Sequence, residues 1–509
     1  MLNILETEAT RIEIQNKIDL TKTIKERNKL GQFATPAQLA DDVVDYTLSL
    51  LSRNEKICFL DPAIGTGSFF SALIRAVSPS QIENAIGYEI DKVYAQVAID
   101  LWHETCLKVF IADFLETDSP KIKPNLIICN PPYVRHHHLA IDKKLALRKA
   151  IAGKTGINLS GLAGLYCYFI LAAHDWMSEN GIASWLIPSE FMDVNYGQEI
   201  KEFLLNKVTL IRVHRFDPLD LQFDDALVSN SVLWFKKSLP TKQHHVKFTF
   251  GGTITKPSLS KSVPLQNLKP SAKWSNIFTH TDKQKSLYKL SDLFEIKRGI
   301  ATGANEFFIL TPEKINKFEI PSDVLIPILP STRYLHKDEV LADDEKNPIL
   351  DKPLFLLSCT KPIDEIKSLY PSVWSYLQSG ITAGISEGYL CQHRSLWYVQ
   401  EIRQPTKFLC SYMGRQISKA ARPFRFIYNE SKAIAPNVYL MMYPKPHLAK
   451  MISEQPELSR KLWSALNTIP VSDMIGEGRV YGDGLHKLEP KELANVPADM
   501  LHEILLLKT

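Results

Sequence analysis

Asn130-Pro131-Pro132-Tyr133 gathers in four residues the groups needed to hold and activate an aromatic amine. The lone pair of such an amine is delocalised into its ring, so the nitrogen is a poor nucleophile. An acceptor on each N–H draws it toward tetrahedral geometry and aims the lone pair at an electrophile. The Asn130 side-chain oxygen and the Pro131 carbonyl can be those two acceptors. Each proline fixes φ near −65° and removes a backbone donor, which stiffens the turn. Tyr133 supplies a flat face on which a base could stack. An ordinary strand-ending turn uses the same residue types, so the surrounding elements decide between the two readings.

Asn125-Leu126-Ile127-Ile128-Cys129 reads as a buried parallel strand, which puts the tetrapeptide at its carboxyl end, where open α/β sheets bind ligands. Three earlier strand ends carry related chemistry. Ile57-Cys58-Phe59-Leu60 runs into Asp61-Pro62-Ala63-Ile64-Gly65-Thr66-Gly67 and a helix through about Val77, with glycines that let the backbone turn beside a ligand. Ala85-Ile86-Gly87-Tyr88 ends in Glu89, about 20 residues on, the place of a ribose-binding carboxylate in dinucleotide-type folds. Lys108-Val109-Phe110-Ile111 leads to Asp113-Phe114, a carboxylate and a ring suited to the amino group and face of an adenine. Upstream, residues 1 to 30 predict a polar, solvated helix. Thr35 before Pro36 predicts an N-cap for an amphipathic helix from Ala37 to about Leu51, with Leu39, Val43, Val44 and Leu48 on one face. Downstream, a helix is expected over Leu162 to Met177 and a strand over Ile182 to Ile187. Arg135-His136-His137-His138 predicts a loop near phosphate, not a metal site, because three adjacent side chains do not converge on one ion.

With 509 residues and 45% hydrophobic content, the chain is long enough for two or three domains. Its net charge of +4 is small, so a nucleic-acid surface would be a local patch. The seven cysteines have no CxxC spacing and read as reduced core residues. No signal pattern opens the chain and no run approaches the ~20 apolar residues of a membrane span. A cytoplasmic protein without membrane contact is expected. Residues 238 to 285, richer in Lys, Pro, Ser and Thr, predict a junction. Beyond it, Lys297 and Arg298 with Gly299 and Gly303 suit a groove-entering loop. From Arg394 to Lys445 basic residues (Arg394, Arg403, Lys407, Arg415, Arg422, Arg425, Lys432) interleave with Trp397, Tyr398, Tyr412, Phe424, Phe426 and Tyr428, as phosphate contact and groove insertion would require.

Phe33-Ala34-Thr35-Pro36, Asp61 to Gly67, Glu89, Asp113-Phe114 and Asn130 to Tyr133, in that order, resemble motifs X, I, II, III and IV of gamma-class DNA adenine-N6 methyltransferases, the TaqI-type enzymes of restriction-modification systems. The weaker resemblance after residue 289, through Tyr481 to Leu493, is to the family's specificity domain. The implied fold is α/β: a Rossmann-like S-adenosylmethionine-dependent methyltransferase sheet over 1–240, a junction over 241–285, and a mixed α+β DNA-recognition domain over 286–509. The implied cofactor is S-adenosylmethionine. Its methionine end would lie near Phe33, Ala34, Thr35, Asp61, Ala63, Gly65, Gly67 and Asn130, its ribose on Glu89, and its adenine between Ile90 and Phe114 with Asp113 on the amino group. Leu221 to Phe235 is similar to motif VIII, which implies that Phe223 stacks on a flipped base opposite Tyr133, with Asn130, Pro131 and Pro132 completing the catalytic set. Double-stranded DNA would be the partner of a monomer, with a cognate restriction endonuclease acting separately.

The same fold and tetrapeptide also serve enzymes that methylate RNA or a protein glutamine amide. The roughly 220 residues after the junction, about a whole domain, favour DNA recognition. Cytosine-C5 methylation would require an activated thiolate, typically in a Pro-Cys context, and the sequence has no Pro-Cys dipeptide. A nonenzymatic specificity subunit is disfavoured by intact Asn130, Gly65 and Glu89.

Overall fold

The computed structural model describes residues 3–23, 26–27, 30–52, 55–134, 141–218, 229–278, 287–416, 422–481 and 484–506. It divides into two compact units, Met1–His280 with Tyr481–Gly484, and Thr281–Val480 with Leu485–Thr509.

The first unit is built on a nine-stranded sheet of order β3-β2-β1-β4-β5-β7-β6-β8-β9. Its strands are β1 (Ile57–Asp61), β2 (Ile82–Glu89), β3 (Leu107–Ile111), β4 (Leu126–Cys129), β5 (Ile182–Pro188), β6 (Thr209–Arg215), β7 (Asn230–Lys236), β8 (His245–Gly252) and β9 (Pro257–Pro264). β3, β2, β1, β4 and β5 run parallel, while β7 is antiparallel to both β5 and β6. Parallel strands covered on both faces must be apolar at every position. β1, β4 and β5 accordingly are buried throughout. One face packs on α2 (Ala37–Leu48) and α3 (Ser68–Ala76), the other on α4 (Leu165–Trp176), giving two cores. β1 and β2 are adjacent and β1 also pairs with β4, so the loops after all three strands meet at one edge of the sheet.

The stretch 241–285, expected as a junction, carries β8 and β9 of this same sheet, and Trp274 and Phe278 pack on its core. Its polar composition has a simple cause: β9 is an edge strand whose side chains alternate between half-buried and exposed.

The second unit holds a five-stranded sheet in the spatial order Phe294–Arg298, Tyr439–Pro444, Phe408–Ser411, Phe426–Asn429, Glu339–Val340. The interleaved 394–445 segment is mostly its interior. Tyr398, Tyr412, Phe424, Phe426 and Tyr428 are buried, and Arg394, Arg422 and Arg425 donate to backbone carbonyls. The alternation thus reflects strands whose aromatic residues face the core. Gly299 packs against neighbouring backbone; a Cβ there would lie 2.2 Å from the Pro436 carbonyl oxygen.

Candidate active site

Asn130 follows the last residue of β4, and its side chain is oriented by what its nitrogen can reach. Nδ2 donates to the Phe33 carbonyl at 2.9 Å and to Thr35 Oγ1 at 3.2 Å. A carbonyl only accepts, which fixes the amide with its nitrogen toward Phe33. Oδ1 is left buried and, among the described residues, without a partner. Among the described residues, nothing donates to the Pro131 carbonyl either. Two acceptors on consecutive residues are therefore unused. An unsatisfied buried acceptor costs roughly 1–3 kcal/mol, so its retention at a strand end marks a place where a donor is brought by a ligand.

The segment before α2 is clamped to this turn. The Tyr133 amide donates to the Gly31 carbonyl at 3.2 Å, and a Cβ on Gly31, whose φ is +66°, would sit 2.4 Å from the Tyr133 nitrogen. Only glycine permits that approach. Tyr133 is buried; its hydroxyl donates to the Leu186 carbonyl on β5, and its ring lies 5.6 Å from that of Phe33. Thr35 does not cap α2, as its hydroxyl is engaged by Asn130; Pro36 takes the N-cap position with no side-chain bond.

Asp61 and Glu89 close the other side. Asp61 Oδ1 accepts the Ala63 amide at 3.1 Å, and Glu89 accepts the amides of Gly65 and Asp91 at 3.0 and 2.8 Å. Burial raises the pKa of both. Asp61 is pushed up to about 7, with the Glu89 charge adding to the rise and the Ala63 amide and Cys129 thiol opposing it. Gly67 is fixed by close approach, since a Cβ would lie 2.4 Å from the Trp102 indole nitrogen, which donates to the Thr66 carbonyl. Around Gly65 there is open space.

Asp113 and Phe114 are more occupied than expected. Asp113 accepts the Leu115 amide at 3.0 Å and pairs with Lys143 at 2.6 Å. Phe114 is 2% exposed, inside an aromatic cluster with Tyr88, Phe169 and Trp176. Ile90, by contrast, is 65% exposed beside Glu89. Ala34 is half-buried between Phe33 and Thr35, and Pro132 lies half-buried before Tyr133. Phe223 and the Arg135 to His138 run lie outside the described residues.

Three features were not expected. The polar helix α1 (Ile4–Leu20) is solvated on one side only: Glu8, Arg11, Gln15 and Ile18 are buried, and Arg11, 2% exposed, grips Glu8 with two nitrogens and donates to Thr66 of the glycine loop at 3.2 Å and to Ser68 at the start of α3 at 2.8 Å. Lys22 and Gln32 both bind Asp91, whose amide holds Glu89. Asn230, at the start of β7, has a buried Oδ1 with no partner among the described residues, two residues from Val232 and so on the sheet face that carries Tyr133. No periodic apolar signal marks any of them; only the acidic and basic spacing at Glu8 and Arg11 hints at an i,i+3 pair.

The acceptors at these strand ends suit S-adenosylmethionine: carboxylates at the ends of β1 and β2 for a cation and ribose hydroxyls, an open glycine turn, and an unpaired amide oxygen after the neighbouring strand β4. Comparison with known proteins agrees. Residues 64–221 match the family model of the Eco57I restriction-modification methylase, and residues 271–505 match that of the C-terminal domain of Type II methyltransferase M.Eco57I. Type II methyltransferase M.AccI of Acinetobacter calcoaceticus is 28% identical over 498 residues, covering 93% of this chain and 86% of that protein. M.XamI of Xanthomonas campestris pv. amaranthicola is 27% identical over 494 residues, covering 94% and 86%. The Type IIL restriction-modification enzyme MmeI, solved in complex with DNA, shares the fold at a TM-score of 0.57 and 15% identity, over 93% of this chain and 69% of that one. The chain thus carries, over 64–221 and 271–505, segments that match Eco57I-type restriction-modification methylases, and it is a DNA methyltransferase of a restriction-modification system whose methyl donor is S-adenosylmethionine.

Proposed function

We propose that the protein methylates the N6 amino group of an adenine extruded from duplex DNA. The observation that carries this is the unpaired, buried Oδ1 of Asn130 beside the unused Pro131 carbonyl. Together they offer two acceptors, and an exocyclic amine brings two donors. Bound S-adenosylmethionine supplies an electrophilic methyl group. Asn130 and Pro131 accept the two N–H groups, orient the lone pair, and stabilise the positive charge that grows on nitrogen in the transition state. The bonds from Asn130 Nδ2 to Phe33 and Thr35 keep Oδ1 pointed at the amine without reorganisation. Tyr133 and Phe223 hold the base ring between them, where stacking at ~1–3 kcal/mol per contact offsets the few kcal/mol of extrusion. Glu89, Asp61 and the Gly65 turn bind the cofactor, with Ile90 against its adenine. The enzyme acts in the cytoplasm as a monomer on DNA, beside a separate cognate endonuclease; sedimentation of the DNA complex at twice the chain mass would contradict the monomer.

The test is to incubate the protein with tritiated S-adenosylmethionine and unmethylated duplex DNA and identify the labelled nucleoside. N6-methyldeoxyadenosine is expected; label confined to cytosine, RNA or protein rejects the reading. Asn130→Ala should lower kcat by roughly 10²- to 10³-fold, the scale of one preorganised electrostatic contact, while still binding cofactor. Near-normal turnover would remove Asn130 from the mechanism. Phe223→Ala should diminish the fluorescence rise of 2-aminopurine at the target, and an unchanged rise would remove the stacking role.

A further inference from the structure

Most arginines of the second unit are structural ties. Arg394 donates to the carbonyls of Ala301 and Thr302, and Arg422 to those of Asn467 and Ile469. Arg425 pairs with Asp338 and donates to the carbonyls of Thr332 and Leu335 at 3.3 and 2.7 Å. That last set fixes a turn from the inside. The Tyr439 hydroxyl holds the Pro330 carbonyl at 2.7 Å, the Tyr334 amide closes onto the Ser331 carbonyl at 2.8 Å, and Leu335 is buried in the core beneath.

Outward, the same turn presents Arg333, Tyr334, His336 and Lys337. All four are exposed, Tyr334 at 68%, and among the described residues none of their side chains has a hydrogen bond, ion pair or ring contact. Of the carboxylates that follow, Asp338 pairs with Arg425, while Glu339 shares Arg460 with Glu430. The tip itself, residues 331–337, carries two cations, Arg333 and Lys337, and no carboxylate. A backbone tied by buried bonds while its aromatic and cationic side chains touch nothing is organised for a partner, since the ordering cost of the loop is met in the fold and not on binding. The turn stands at the sheet end where the strand Phe294–Arg298 finishes and the strand Tyr439–Pro444 begins. Arg298 adds an exposed charge at that end, its guanidinium 4.1 Å over the Tyr412 ring.

Resting on the reading of the protein as a DNA adenine methyltransferase, we propose that the 331–337 turn is its DNA-reading element: Arg333 and Tyr334 enter a groove and contact base edges, and Lys337 lies on a backbone phosphate. Arginine presents paired donors that fit the two major-groove acceptors of guanine, and tyrosine offers both a ring and a hydroxyl. Lysine serves phosphate as a point charge and carries no sequence information.

The experiment uses the full chain and unmethylated genomic DNA, with methylated positions mapped at nucleotide resolution. Arg333→Ala and Tyr334→Ala should each lower kcat/KM at the wild-type site by roughly 10- to 100-fold and relax selection at one position. Lys337→Ala should weaken binding to all duplexes alike and reduce the slope of log K against log salt by about 1. Each variant should bind S-adenosylmethionine as the wild type does. Unchanged rate and site choice in the Arg333→Ala/Tyr334→Ala double variant would overturn the proposal. So would loss of cofactor binding together with site choice, because it would make the turn a prop of the fold; Arg333→Gln, which keeps the stem and a donor, separates that case. A wild-type protein that labels no DNA would instead reject the function proposed above, whatever the turn does.

Discussion

Two carboxylates at neighbouring strand ends, Asp61 and Glu89, are held in different ways, and the difference sets how the pocket responds to pH. Glu89 spends both oxygens on backbone amides and shapes the Gly65 turn. Asp61 has one amide and a thiol for company, is 1% exposed, and titrates at about 7 against its ordinary 3.8. Its folded form thus holds a proton that the unfolded chain has lost between those values. By linkage its contribution to stability is largest at the acid end and declines as pH rises from 3.8 toward 7. A cationic ligand acts in the opposite direction, since it favours the carboxylate. Affinity for S-adenosylmethionine should therefore climb with pH up to about 7 and level off above it, by at most about tenfold per pH unit on the acid side. Titration calorimetry near pH 6, in buffers of different ionisation heat, should detect proton release on binding, and Asp61→Asn should flatten the profile. The same slope in Asp61→Asn would assign the titration to another group.

At the scale of elements, β1, β4 and β5 were legible because parallel strands buried on both faces are apolar runs, and Asp61 and Asn130 close two of them; β2 and the edge strand β3 are only partly buried, and Glu89 and Asp113 were legible instead as acidic residues at strand ends. α1 was not legible. Its buried face is made of Glu8, Arg11, Gln15 and Ile18, so polar side chains occupy positions where an apolar stripe announces a core helix. The Arg394 to Lys445 segment misled for the converse reason: aromatic and basic residues alternate along strands whose aromatic side is interior. α1 also carries a function that its burial suggests. Arg11 and Gln15 bond the side chains of Thr66 and Ser68, and Ser71 and Arg75 of α3 hold Glu8, so the helix fixes the glycine loop through side-chain bonds to its hydroxyls. Arg11→Met should destabilise the protein by about 3–5 kcal/mol, because Glu8 stays buried with too little charge beside it. Glu8→Leu/Arg11→Met should recover most of that, as apolar replacements of buried pairs generally do. Cofactor affinity should remain lower in the double variant, whose glycine loop still lacks its tie. Restored affinity along with restored stability would reduce α1 to a packing element.

The whole molecule consists of two units with separate cores: the clusters around Tyr88 and Phe59 use residues up to 278, and those around Phe294, Phe308 and Leu409 use residues from 290 onward. That division was only half visible in the sequence, since β8 and β9 have the composition of a linker and β9 has the alternation of an edge strand. Every residue assigned to the cofactor, from Phe33 to Asn130, belongs to the first unit. A ligand that binds one folded unit stabilises that unit by RT ln(1 + [L]/Kd), about 2.7 kcal/mol at 100 times Kd, and leaves an independently folding neighbour unchanged. Scanning calorimetry of the full chain should then show two transitions, of which only one moves upward with S-adenosylmethionine. The turn variant Arg333→Ala should leave both in place, while Arg11→Met should lower the transition that the cofactor raises and no other. A single transition that shifts as a whole with cofactor would mean that the two cores melt together, and the charge-tied helix α1 would then report on the stability of the entire chain.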